Sequence, residues 1–576
     1  MLNTSVEKTI AGFLLIGVPF TTLFLVTGTV TDPVNVTKLF AAGCVGGGVI
    51  TISFTYGLKE LWRTSKLLVL ATVLFVIAML NAAFSSNTPM SQNLYGVFGR
   101  NTGLIAYLIL AGIALSAALL RQKKSFEYLI WGLIFSGAVN ILYCGWVILF
   151  GDFISWNNPY GNILGLFGNP NFIGAFLGMF ISGAVATFIG SIYTVARSSK
   201  DVSARLLVSV VSLVALPILS IVALYEIKES NAVQGIVVTG AGFAIVGFYL
   251  VRALTKGNVF TFLYTLVIGV VGAFALGGAL QKGPLTSIIY KKSVSLRGTY
   301  WETGIEMGKA NPLTGVGMDS YGNYYRQFRP DRALTDTPGI GTVTNAAHNV
   351  VIDFFASGGY PLLITYVAIM MIGFWAIVRV TLRARKFDGV FVALAVTWLT
   401  YQLQSIISIN QVGLAIWGWV LVGALVAYEY STRPQVEEPG KRKIVKQKEL
   451  IFSPQLVGGI GVVIGALIAV PPLSADSKWR AAILSQNAQT VESVLTPSYL
   501  TPADTYRYIS AVQTFESSKL YDLAYKYAQI GVAFNPESSD AWRMLYAISK
   551  STQADKDLAL ANMKRLDPKN PDVLAQ

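Results

Sequence analysis

Residues 65–84 read SKLLVLATVLFVIAMLNAAF, with Lys66 as the one charged position, at the edge. A helix that crosses the hydrocarbon of a bilayer needs about 20 mostly apolar residues. Windows of this kind recur from residue 9 to residue 472, at approximately 9–30, 37–57, 65–84, 102–120, 126–150, 171–195, 204–224, 233–252, 258–281, 360–380, 389–408, 411–429 and 452–472. About thirteen spans predict an all-α, polytopic helical membrane protein. The strands of a membrane β-barrel would instead alternate polar and apolar side chains over about ten residues. Composition agrees, with 53% hydrophobic residues, 13% charged residues and a mean hydropathy of +0.56. The first window follows MLNTSVEK without a small-residue cleavage pattern and is read as a retained helix.

The net charge of +14 does not mark a nucleic-acid partner, because the basic residues sit at the ends of apolar windows. With the N-terminus cytoplasmic, the inside connections carry Lys59, Arg63 and Lys66; Arg121, Lys123 and Lys124; Arg197, Lys200 and Arg205; Arg252 and Lys256; Arg379, Arg383, Arg385 and Lys386; and Lys441, Arg442, Lys443, Lys446 and Lys448. Short outside connections hold chiefly Arg100 and Lys228. This positive-inside asymmetry predicts an inner-membrane protein with a membrane domain over 1–472, a large extracytoplasmic loop over 282–359 and an extracytoplasmic helical domain over 473–576. Cys44 and Cys144 both fall inside apolar windows, which argues against a disulfide framework or a zinc site.

The large loop is where solvent-facing chemistry can sit. It holds RGTYWETGIEMGKANPLTGVGMDSYGNYYRQFRP from Arg297 and NAAHNVVIDFFASGGYP up to Pro361. The spacing of Trp301, Ile305 and Gly308 fits an amphipathic helix at the membrane surface. Asn311 to Gly317 reads as a turn whose glycines permit close backbone approach. Tyr321, Tyr324, Tyr325, Arg326, Phe328, Arg329 and Arg332 then interleave aromatic and basic side chains. Aromatic faces suit sugar rings and guanidinium forks suit phosphate oxygens, so the mixture suggests a sugar attached to a phosphate.

His348 is the single histidine of the chain, the side chain whose ordinary titration lies nearest physiological pH. A lone loop histidine is commonly a surface residue. Its position between Asn345 and Asn349 where the chain re-enters the membrane, and its sharing a loop with an arginine-rich segment, favour a general base instead. No second histidine or carboxylate cluster accompanies it to bind a metal, and no nucleotide-binding motif is recognisable. No cofactor is expected.

Two shorter outside connections stand apart. One, GVFGRNTG at 96–103, carries Arg100; the other contains Gly168-Asn169-Pro170-Asn171, either a tight turn with Asn171 as helix cap or a set of amide donors facing a lipid-borne anion. In the tail, AFNPESSDAW from Ala533 and RLDPKNPDVL from Arg565 place Pro536 and Pro568 32 residues apart. That is near the period of tetratricopeptide-type helical pairs; a plain helical tail is the alternative. Docking a protein partner or bracing the large loop is its expected role.

Taken together, Arg297 with Trp301, NPLTGVG followed by Tyr321, Ala347-His348-Asn349 leading through Gly358-Gly359, GVFGRNTG and GNPNFIGAFLG resemble the O-antigen ligase and O-antigen polymerase superfamily over roughly residues 70–430. The resemblance implies a GT-C-like, metal-independent, inverting glycosyltransferase. Its donor would be an undecaprenyl-diphosphate-linked glycan in the membrane lipid, and its acceptor a lipid, glycan or protein. His348 and Arg297 would be catalytic. Arg100, Arg297, Arg326 and Arg329 would bind the donor diphosphate, and Glu302, Asp319, Tyr321, Asn171 and Asn349 would give substrate or structural support. A polymerase or a protein O-oligosaccharyltransferase fits the same marks. A transporter or flippase without chemistry is opposed by the scarcity of charges in the middle of the spans.

Overall fold

Each of the thirteen apolar windows forms a helix. The computed structural model describes residues 2–155, 158–197, 203–289, 292–335, 338–434 and 450–575. The bundle comprises α1 (Thr4–Leu23), α2 (Asn35–Tyr56), α3 (Lys66–Phe84), α4 (Leu104–Ala117), α5 (Lys123–Phe150), α6 (Pro170–Arg197), α7 (Ser203–Glu229), α8 (Val233–Leu254) and α9 (Val259–Ala279). The large loop contributes α10 (Lys292–Ala310) and α11 (Tyr321–Phe328), after which α12 (Val350–Arg383), α13 (Gly389–Ile407), α14 (Val412–Ser431) and α15 (Pro454–Leu484) complete the bundle. Among the described residues the one β feature is an isolated bridge between Ser498 and Thr501. The chain is an all-helical polytopic membrane protein, with twelve helices long and apolar enough to cross a bilayer.

The thirteenth, α4, has only 14 residues. It nonetheless joins the two ends of the bundle. Just before it, Thr102 meets Asp319 of the large loop. Just beyond it, the Arg121 backbone N–H donates to Glu7 at the start of α1, at 2.8 Å. The Glu7 end also holds Glu429 with Arg379, Arg383 and Arg433, and Arg121 lies over the Tyr430 ring there. Lys200, the cluster from Lys441 to Lys448, and the side chains of Arg197 and Arg205 lie outside the described residues.

Helix α14 is the axis of the bundle, buried throughout its most apolar 18 residues. Its tryptophans need partners for their N–H groups once buried. Trp417 Nε1 donates to Thr22 Oγ1 at 2.9 Å, and Trp398 Nε1 of α13 donates to the Gly418 carbonyl at 3.1 Å. Beside it, α2 and α15 touch backbone to backbone, as helices lacking a hydrophobic drive in lipid do through small residues. A Cβ on Gly47 would lie 2.2 Å from the Gly461 carbonyl oxygen, and one on Gly465 1.9 Å from that of Gly43.

Helix α12 starts ten residues before the expected window at 360. The Asn349 side chain caps it by accepting from Val351 N and Ile352 N at 3.0 and 3.2 Å, which lets the helix begin above the apolar run. Gly358 and Gly359 then break it. Into that break packs the NPLTGVG turn: Val316 N donates to the Ala356 carbonyl at 2.9 Å, Gly317 N to that of Ser357 at 3.0 Å, and Tyr360 N to that of Pro312 at 2.8 Å. Gly315 and Gly359 both have φ of 62°. Side chains at either would strike facing backbone at 2.2 Å.

Helix α15 runs unbroken past residue 472 into the tail, so the expected domain boundary falls within one helix. The tail adds α16 (Ala488–Leu495), α17 (Thr505–Ser517), α18 (Tyr521–Phe534), α19 (Ser539–Ala547) and α20 (Gln553–Leu566) around their own core of Trp479, Tyr508, Phe515, Tyr527, Trp542 and Met563. This unit sits on the loop end of the bundle. Ser91 Oγ donates to the Ala503 carbonyl at 2.7 Å, and Phe98 stacks on Tyr506.

Candidate active site

His348 stands one residue before the Asn349 cap, in a left-handed backbone conformation (φ 57°) that side chains with a Cβ seldom adopt. Asp353, in the first turn of α12, accepts from the Ala347 N–H at 2.5 Å and holds the bend from the other side. The imidazole stacks on Tyr300 with ring centroids 5.4 Å apart. Tyr300 lies one helical turn after Arg297 on α10, and its carbonyl accepts from the buried Tyr321 hydroxyl at 2.6 Å. One chain of contacts therefore links α11, α10 and the start of α12.

Arg100 reaches the same place from the connection before α4. Asp319, itself at φ 51°, receives the Val97 N–H at 3.0 Å, the Thr102 N–H at 3.4 Å and the Thr102 hydroxyl at 3.3 Å. The large loop thus clamps the GVFGRNTG turn. A side chain on Gly96 would fall 2.4 Å from the Asp319 carboxylate, which accounts for the glycine there.

The electrostatics follow from this crowding. Burial, then the positive charges of Arg100 and Arg297, push the His348 pKa from 6.5 down to about 3. Its imidazole is neutral at physiological pH. Burial also lowers the Arg100 pKa, opposed first by Asp319 and then by Asp353; burial alone lowers that of Arg297. Burial raises Asp319, against the hydrogen bond from Val97 and the charge of Arg100. Neither the Arg100 nor the Arg297 guanidinium has a hydrogen-bond or ion-pair partner among the described residues. A desolvated guanidinium without a partner is set up to receive an oxyanion.

Residues 215–367 match the family model described as O-Antigen ligase. Over that stretch the chain is similar to this family. That match spans Arg297, Asp319, Tyr321, His348 and Asn349, whereas Arg100 enters the site from outside the matched residues. No curated protein matches the chain.

Not every expected residue joins this site. Arg326 and Arg329 turn away from it, toward the tail: Arg326 pairs with Asp540 at 2.9 Å, and Arg329 pairs with Asp567 at 2.6 Å, both side chains of the second pair fully buried. Terminal nitrogens of both are engaged in docking, and the Nε groups, though without hydrogen-bond partners, are buried in the same contact and closed to a diphosphate. Glu302 pairs with Arg332 at the exposed surface instead of orienting the site cations. The cap of α6 is Asn169, whose side chain accepts from the Asn171 N–H at 2.9 Å, because Pro170 takes the first helical position. Asn171 is inside the helix.

Several residues of the site were missed in sequence. Tyr300 was hidden among other loop aromatics. Asp353 is a carboxylate inside an apolar run, a signal in itself. Asn410 and Gln411 lie between two spans in SINQVG, and Asn410 donates to Tyr107 at 3.0 Å beneath the cluster. Among the described residues no group of three or more His, Cys, Asp or Glu side chains could hold a metal ion.

Proposed function

We propose that the protein transfers a glycan from an undecaprenyl-diphosphate carrier to an acceptor hydroxyl on the extracytoplasmic side of the inner membrane. The single observation that carries this reading is the pair of guanidiniums, Arg100 and Arg297, which have no hydrogen-bond or ion-pair partner among the described residues and flank a neutral histidine. The donor diphosphate sits between them. His348 takes the proton of the acceptor hydroxyl as that oxygen forms a bond to the sugar C1; the bond from C1 to the phosphate oxygen breaks, and the electron pair leaves with the diphosphate. One displacement inverts the anomeric centre, and the two arginines stabilise charge as it grows on the leaving group.

This chemistry assigns the work of a Lewis acid to arginine and so needs no metal. Sidedness is supported by the concentration of Arg379, Arg383 and Arg433 at the end of the bundle remote from His348. The docked tail supports a bracing role. The test is transfer by purified full-length protein in nanodiscs, supplied with lipid-linked glycan and candidate acceptors. His348→Ala is expected to lower kcat by about 10²–10⁴-fold, while unchanged transfer would overturn the reading.

A further inference from the structure

Arg100 does not face His348 alone. It also lines a second, solvent-open cavity of about 540 Å³ at the loop end of the bundle, whose walls include Asp32, Asn169, Asn410, Gln411 and Arg480. With Arg100 they come from five separate parts of the chain, from the loop after α1 to the last bundle helix. Gln411 is only 3% exposed. Its amide nitrogen donates to the Phe167 carbonyl at 2.8 Å, while its buried Oε1 has no partner. That oxygen is closed to solvent, and a buried acceptor without a donor costs free energy. On the rim, Arg480 uses Nε to hold the Gly28 carbonyl at 2.9 Å.

We infer that this cavity is a subsite for a hydroxyl-rich oligosaccharide, held by Gln411, Asn169 and Arg480 on the far side of Arg100. The inference rests on the glycan-transfer reading and adds where the sugar sits. The amide and guanidinium groups of Asn169, Gln411 and Arg480 suit sugar hydroxyls, and the rings of Phe167 and Phe172 in the same wall suit the faces of sugar rings. Arg100 at the junction places the cavity next to whatever the diphosphate carries. Such a sugar belongs either to the donor or to the acceptor, and the experiment separates the two.

Gln411→Leu removes the orphaned acceptor, and Arg480→Gln alters the rim without touching the core. Steady-state transfer by full-length protein is measured with donor and acceptor varied in turn. About a 10-fold rise in KM for one glycan with kcat retained is expected; the substrate whose KM moves is the one that occupies the cavity. In parallel, saturation-transfer NMR follows binding of the oligosaccharide released from the lipid-linked donor by mild acid. This readout needs no turnover, so it separates failure of the subsite from failure of the transferase reading. Unchanged KM for both substrates in both variants, or loss of kcat alone, overturns the subsite, as does undiminished oligosaccharide binding to Gln411→Leu.

Discussion

Tyr506 of the tail stacks on Phe98 with ring centroids 4.3 Å apart and planes 5° from parallel, two residues before Arg100. The tail therefore holds the turn that carries a site cation. An aromatic pair of this geometry contributes about 0.5–1.5 kcal/mol beyond its buried area. Tyr506→Ala is expected to raise the donor KM several-fold, and Tyr506→Phe to restore it, because the ring and not the hydroxyl makes the contact. Equal defects in both variants would show that the stack is not what matters.

Removing one member of the buried Arg329–Asp567 pair leaves the other charge uncompensated, at a cost of about 3–5 kcal/mol. Asp567→Ala should loosen the tail, read as faster proteolysis after residue 484 while the membrane bundle stays intact. The double variant Arg329→Met/Asp567→Leu should recover most of the loss, since neither charge is then buried.

His348 supplies a pH signature. Its folded pKa of about 3 lies below the ordinary 6.5, so between these values the unfolded chain binds the extra proton and stability falls as pH falls. Replacement by Ala should flatten that part of the stability profile. For catalysis, kcat/KM reports the free enzyme and should show no acid limb near 6.5. A bound diphosphate offsets Arg100 and Arg297, so the acid limb of kcat should lie at higher pH than that of kcat/KM. Coincident limbs near 6.5 would remove the arginines from control of this base.

Gly359→Ala forces a side chain into a left-handed position against the Pro312 carbonyl. A cost of about 1–3 kcal/mol is expected from the backbone alone, seen as a lower Tm in detergent. A variant as stable as the parent would mean that the turn at 311–317 does not seat in the helix break.

Glu302→Ala tests the other extreme. Its pair with Arg332 is solvent-exposed, and exposed pairs contribute about 0–1 kcal/mol. Transfer should be unaltered, and a large loss would restore Glu302 to the site.

The helical membrane fold was legible because each apolar window is long enough to declare itself locally. Arg100, Arg297, Asp319 and His348 stood out as polar residues between such windows, and the structure gathers them at one place. What sequence could not show was pairing across distance. Arg326 and Arg329 carry the same chemistry as Arg297, and only the folded tail reveals that Asp540 and Asp567 claim them. The Asn169 cap turned on one backbone angle at Pro170. The early start of α12 depended on how Asn349 turns its side chain.

The interlock between 311–317 and the break in α12 bears on how the enzyme turns over. Three backbone hydrogen bonds weld that turn of the large loop to a transmembrane helix, so this part of the loop is a wall and not a flap. In the transfer proposed above, substrates then come in sideways, past Arg100 and the open cavity that it lines, along the plane in which a lipid carrier diffuses. On that proposal a spent carrier slides back into the bilayer while the floor beneath His348 stays still, and turnover needs no opening of this part of the loop.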